Sequence, residues 1–235
     1  MPKNYTKDEI ENGRWITVKG AHIFLKDGES VDDAMRRVKA AMNQEDKKRM
    51  REQRVKDANL DKMALNEFKQ GVDAVLSDFG IENDIQFDYK DTDSMIAQSQ
   101  EEDGDNVIYL TEHFKDYDGL YNTIKKNVNN GVVTSLPIMF NGIHEAGHII
   151  EQKLNPYGEH FTEMFSKEVV AKAQRQCRAQ GKDASRKSIS EYATRDVHET
   201  VAEAITDYFH NGDNAKPLSI EIYNELNRRS KGGKR

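Results

Sequence analysis

Two histidines four residues apart, with a glutamate directly after the first, stand in an apolar run of the chain as His144-Glu145-Ala146-Gly147-His148. On a helix, positions i and i+4 share a face, so both imidazoles can offer a ring nitrogen to one divalent metal ion. Glu145 projects about 100° round the helix from His144. From there it can polarise and deprotonate a metal-activated water. H-E-x-x-H thus supplies two ligands and a general base for hydrolysis. The same letters also occur on ordinary helices, so the chemistry requires a third ligand from elsewhere.

The best source lies downstream. Residues 190–204 read as a second helix with Glu199 and Glu203 on one face and Val197, Val201, Ala204, Ile205 and Tyr208 on the other. Two acids four apart are also what a solvated helix edge presents. The remaining histidines outside the N-terminal part are His113, His160, His198 and His210. His198 adjoins Glu199 but points about 100° away from it, which suits a supporting or surface role; His160 could line a cleft, and for all four the expected role is an ordinary surface or capping one.

With these residues in view, the chain resembles the lethal-factor-type zinc peptidases, gluzincins typified by anthrax toxin lethal factor and related to the Pro-Pro endopeptidases. One piece of the resemblance is His144-Glu145-Ala146-Gly147-His148, with small residues at its third and fourth places. Another is Tyr192 followed by Glu199 and Val201-Ala202-Glu203-Ala204-Ile205, similar to the family's Tyr-Gly…Glu-x-x-Ala-Glu-Ala-Phe segment. The third is Asn214-Ala215-Lys216-Pro217-Leu218 through Ile222, similar to its closing helix. The resemblance implies His144, His148 and Glu199 as ligands of Zn2+, Glu145 as general base and Tyr192 as the hydroxyl that steadies the oxyanion. It implies Glu203 as acceptor of a ligand histidine's free N–H, with Glu203 in place of Glu199 as the alternative ligand. Thr200-Val201 departs from the family's aromatic pair, Ala193 stands where a glycine is usual, and residues 149–191 are long and highly charged. These departures leave substrate preference open.

The elements that must position these residues are legible to different degrees. Ser135 can cap the motif helix, Pro137 fits its first turn, and Phe140, Ile143, Gly147, Ile150 and Leu154 form its core stripe before Pro156 ends it. Gly147 costs about 1 kcal/mol relative to alanine inside a helix, which points to a neighbouring backbone packed against it. Leu60, Met63, Ala64, Phe68, Val72, Val75 and Leu76 mark an earlier amphipathic helix. Ile85, Phe87 and Tyr89 alternate with polar residues as a strand, and residues 106–111 form a second extended run. The second run is expected to be the exposed edge strand that holds a substrate peptide extended beside the metal. A break at residues 127–131 precedes the motif helix.

Nearer the N terminus, residues 15–18 and 22–25 flank Lys19-Gly20-Ala21 as a hairpin, and Asp27-Gly28 makes a turn. Ser30 with Asp33 can cap a helix that becomes charged through about Asp57. Residues 13–25 resemble a short module of phage head-morphogenesis proteins and their prophage relatives, which implies a virion-associated or phage-delivered protein; an ordinary hairpin explains them equally well. The expected fold is α+β, with a hairpin and charged helical segment over residues 1–57 and a zincin-like metallopeptidase domain over 58–235.

Composition fits a soluble protein: 36% of the 235 residues are apolar and 32% charged. No apolar stretch approaches the roughly 18 residues of a membrane span, and no secretory signal is evident. The net charge of −6 argues against broad nucleic-acid binding. In the local basic run around 47–54, Glu45, Asp46, Glu52 and Asp57 stand against six basic residues, the mark of a solvated helix. Cys177 is the sole cysteine and, in a charged run, reads as a surface thiol. The expected function is a zinc-dependent endopeptidase acting on a protein or peptide substrate. The alternatives are a phage structural protein with an inactive peptidase-like fold and an effector that binds a host protein without cutting it.

Overall fold

The computed structural model describes residues 14–18, 21–26, 28–158 and 162–232; Gly13, Lys19, Gly20, Asp27 and His160 lie outside the described residues. The chain divides into two compact units, Met1–Gln53 and Arg54–Arg235, and mixes helices with small sheets in an α+β arrangement. In the first unit, β1 (Arg14–Val18) pairs antiparallel with β2 (Ala21–Leu25), setting Trp15 opposite Phe24 and Ile16 opposite Ile23. Helix α1 (Val31–Asp57) starts where the Ser30 hydroxyl accepts the Asp33 N–H and donates to the Asp33 carboxylate, a reciprocal cap. Ala34 and Val38 cover Ile23 and Leu25, and beyond that first stretch α1 is largely exposed and charged.

The second unit is built around two crossed helices. Asp61 caps α2 (Lys62–Asp78) by accepting from the Met63 and Ala64 N–H groups, and its stripe of Ala64, Phe68, Val72, Val75 and Leu76 is buried. That stripe packs on the motif helix. A Cβ on Gly71 would run into the Met139 carbonyl, and one on Gly142 into the Phe68 carbonyl, so the two backbones touch at the crossing. Beside them lies a three-stranded sheet of β3 (Gln86–Tyr89), β4 (Ala97–Glu102) and β5 (Asp105–Leu110) in the order β3-β5-β4. β3 runs parallel to β5 and β4 antiparallel, with Asp103 and Gly104, both at positive φ, making the two-residue turn between β4 and β5.

This topology corrects one expectation. The run at 106–111 is the central strand, not the edge: Val107, Ile108, Tyr109 and Leu110 are all buried, as a strand covered on both faces must be. The exposed edge belongs to β4, whose polar Ala97-Gln98-Ser99-Gln100-Glu101-Glu102 gave no apolar alternation to read.

Helix α3 (Tyr117–Asn129) leads to α4 (Met139–Leu154), which carries the motif. Ser135 does not cap α4. The Phe140 and Asn141 N–H groups instead bond back to the Pro137 and Ile138 carbonyls, a tight entry that needs no side-chain cap. Pro137 follows a cis peptide and precedes the first turn. The charged segment after Pro156 folds into α5 (Thr162–Ala179), where Phe165, Val169, Ala173 and Cys177 recur every fourth residue on the buried face. Cys177 is therefore a core residue and not a surface thiol; burial pushes its thiol pKa up.

Residues 190–204 do not form one helix. Asp196 accepts from the His198 and Glu199 N–H groups and starts α6 (Val197–Asn211) there, leaving Tyr192–Thr194 as a separate tight turn. Helix α7 (Pro217–Ser230) closes the unit, its Tyr223 stacked 3.6 Å from Tyr208 and hydrogen-bonded to the Asp78 carboxylate. No helix among the described residues is long and apolar enough to cross a membrane.

Two predictions follow from this core. Gly142→Ala gains about 1 kcal/mol in helix propensity but must push α2 and α4 apart. A net loss on the order of 2 kcal/mol is expected, read as a drop of roughly 4–8 °C in the melting temperature. Glu225 is buried, which opposes its charge, yet Arg228, Lys172 and Arg229 outweigh burial and hold its pKa at about 2, below the usual 4.5. A carboxyl with a depressed folded pKa contributes stability above its unfolded value and loses it as pH falls towards the folded one. Glu225→Gln should therefore melt lower than the parent above pH 4.5, and the deficit should shrink towards pH 2.

Candidate metal centre

Helices α4 and α6 meet where Gly147 faces Ala202. A Cβ on Gly147 would stand 3.0 Å from the Ala202 Cα, so a side chain there would make the neighbouring backbone give by a few tenths of an ångström. At this spacing a glutamate on α6 reaches the histidines of α4. Glu199 Oε2 lies 3.1 Å from His144 Nε2 and 3.6 Å from His148 Nε2. One donor atom from each of these residues falls within 4.8 Å of the other two.

Behind each imidazole stands a buried carboxylate. Glu203 Oε1 is 2.9 Å from His144 Nδ1, and Glu203 Oε2 accepts the Thr134 N–H at 3.1 Å. Glu151 Oε2 is 3.6 Å from His148 Nδ1 and 3.4 Å from His198 Nδ1, and Glu151 Oε1 accepts the Ser166 hydroxyl. With each Nδ1 turned to an acid, each Nε2 is left to face Glu199, so the acids select ring orientation as well as tautomer. Glu203 is thus an outer partner in this geometry, whereas Glu199 faces the two Nε2 atoms. Glu151 escaped the sequence reading. Its one signal was a carboxylate three residues after His148, on a helix face otherwise spent on apolar burial.

Glu199 Oε2 is buried, and the groups it faces are the two Nε2 atoms, neither in hydrogen-bond geometry. With both imidazoles neutral and protonated on Nδ1, that oxygen would meet ring lone pairs and no donor, a costly burial for a carboxylate. A cation between it and the two Nε2 atoms would satisfy it, and two imidazoles with one carboxylate are the donor set of a catalytic zinc. The charges respond to the same crowding. Burial works against protonation of His148, but Glu151 and Glu199 outweigh it and lift its pKa to about 9. His144 is likewise raised, by Glu199 and Glu203 against burial. Burial favours a neutral Glu199, yet the two histidines overcome it and hold the carboxyl below its usual range.

Glu145 leaves the ligand cluster and turns to the sheet, where its Oε2 accepts the Ser99 N–H of edge strand β4 at 2.6 Å. Tyr192 reaches the site from its own turn, which is pinned by the Glu191 and Tyr192 N–H groups bonding to the Gly131 and Val132 carbonyls. Its ring centre is 5.8 Å from that of His144. Burial first, and the Glu199 charge second, push the Tyr192 hydroxyl up to about 12, so it stays a donor at neutral pH. All of these groups open on one cleft of about 970 Å3, bounded by β4 on one side and the Tyr192 turn on the other. His113 and His198 lie along this cleft, the latter against Glu151, while His210 packs edge-on against Phe140.

Comparison of the chain with protein-family models, with curated proteins and with solved structures finds no match. Glu151→Gln and Glu203→Gln keep side-chain size but remove the charge behind each imidazole. Each is expected to weaken zinc binding about 10–100-fold in competition with a chromophoric chelator, and unchanged affinity in both would show that neither acid orients its histidine.

Proposed function

We propose that the chain is a zinc-dependent endopeptidase with a zincin-like catalytic domain. The observation that carries this reading is the convergence of His144, His148 and Glu199, one donor atom of each within 4.8 Å of the other two, beside a second carboxylate bonded to a sheet edge. Zinc held by those three residues would supply Lewis-acid activation of water and of the scissile carbonyl. The resemblance to lethal-factor-type peptidases supports the same assignment.

The chain's own groups have separable tasks in this reading. Glu145 takes the proton of the attacking water and returns it to the leaving amine. The Tyr192 hydroxyl, protonated at working pH, donates to the oxygen on which negative charge develops. Strand β4 presents backbone N–H and C=O groups on its open side. Because the Ser99 N–H points away from β5 to Glu145, those of Ala97 and Glu101 share that direction. A substrate pairing there as an added strand would run extended past Glu145 and the ligand cluster.

Elemental analysis on protein purified without chelator tests the centre. Near-stoichiometric zinc is expected in the parent and in Glu145→Ala, with loss in Glu199→Ala. Glu145→Ala should also lower peptide cleavage by about two to four orders of magnitude, the usual worth of a general acid–base group. Absence of zinc from all three proteins would remove the peptidase reading in favour of a structural protein. Partner binding with no cleavage by the zinc-loaded parent would favour a non-cleaving effector.

A further inference from the structure

Five carboxylates line the cleft, namely Asp93, Glu145, Glu151, Glu199 and Glu203, against a single arginine or lysine, Arg195. Arg195 is exposed, and among the described residues no carboxylate forms an ion pair with it. It does not wander freely: its backbone N–H closes the Tyr192 turn, and its guanidinium carbon lies 4.8 Å from the centre of the Tyr192 ring. A guanidinium beside an aromatic ring is restrained there, and its planar fork of N–H groups matches a carboxylate through two parallel bonds.

The same sign of charge continues on the far side of that turn. Arg178, Lys182, Arg186 and Lys187 line a second depression of about 560 Å3 that also includes Thr194. The only acid there, Asp183, already accepts the Ser185 N–H at 2.8 Å. Arg186 braces the turn through Thr200 Oγ1 and the Thr194 carbonyl. Arg178, Lys182 and Lys187 have no ion-pair partner among the described residues. In a chain of net charge −6, this is a local reversal of sign adjoining the reaction cleft.

We propose that the Tyr192 side of the cleft, headed by Arg195 and continued by this basic depression, selects substrate polypeptides carrying acidic side chains to that side of the scissile bond. The inference rests on the peptidase reading and adds the substrate class to it. Arg195 is here a specificity-determining residue. A role confined to steadying Tyr192 would alter turnover without altering which peptides are retained.

Fluorescence anisotropy with zinc-supplemented Glu145→Ala protein tests it on three pools of ten-residue peptides: neutral with an amidated C terminus, the same with Asp and Glu introduced, and neutral with a free C-terminal carboxylate. The acidic amidated pool should bind about fivefold to tenfold tighter than the neutral amidated pool. Adding Arg195→Gln should reduce the difference to about twofold or less, and adding Lys182→Gln with Lys187→Gln should reduce it in part. Equal binding of the pools, a preference that survives Arg195→Gln, or no binding by any pool up to about 1 mM overturns the proposal. Tighter binding confined to the free-carboxylate pool also overturns it, in favour of a chain-terminus anchor. Cleavage by the parent is scored separately. An acid preference without cleavage would remove the peptidase reading and reduce this inference to recognition of acidic polypeptides, whereas cleavage without the preference would remove this inference alone.

Discussion

The approach of α4 to α6 at Gly147 and Ala202 is the constraint on which the site depends. A glutamate side chain is short, and Glu199 faces both Nε2 atoms only because nothing at position 147 holds the helices apart. The same approach puts Glu203, one turn on, against the other nitrogen of His144. A second close approach, of Gly71 to the Met139 carbonyl and of Gly142 to the Phe68 carbonyl, fixes α2 against the motif helix. Helix α4 is thus clamped between two backbones, and the residues that carry chemistry sit between the clamps.

Clamping has an electrostatic cost, which the fold meets with paired charges. Glu151 and Glu203 are almost fully buried, as free carboxylates seldom are. Each is placed where an imidazole N–H and a neutral donor share it: Ser166 for Glu151, the Thr134 backbone for Glu203. Removing one member of such a set leaves a charge in low dielectric, so the arrangement tolerates substitution poorly even where packing would not object. Around it the core is apolar and continuous, from Phe68 and Phe114 through Ile143 and Ile150 to Ile205 and Leu226.

How much of this was legible follows from what each residue had to bury. The motif helix and α2 were readable because apolar residues recur at three and four on a single face. Strand β4 was not, because an edge strand with polar faces leaves no alternation; only the Asp103-Gly104 turn marked it. The break before α6 was present as Asp196, a capping residue hidden inside a segment whose two-faced pattern suggested one longer helix. Glu151 was passed over and Cys177 misplaced for the same reason. An acid on a helix normally signals solvent, and a cysteine among arginines normally signals surface, yet each lies on the inward stripe of its helix. Charge composition averages over a helix, whereas burial is decided residue by residue around it.

The Ser99 N–H has one hydrogen to give, and the Glu145 carboxylate holds it. A polypeptide carbonyl arriving at that point on β4 competes for the same hydrogen, because one N–H makes one strong bond at a time. Because the Ala97, Ser99 and Glu101 N–H groups face the same side, a chain added along all of β4 in the proposed manner would claim the Ser99 hydrogen and set the carboxylate loose. A chain that stopped short of Ser99 would leave Glu145 tethered to the sheet. The reach of a bound chain along the strand would thereby govern the freedom of the acid side chain beneath it, a linkage written into a single backbone donor.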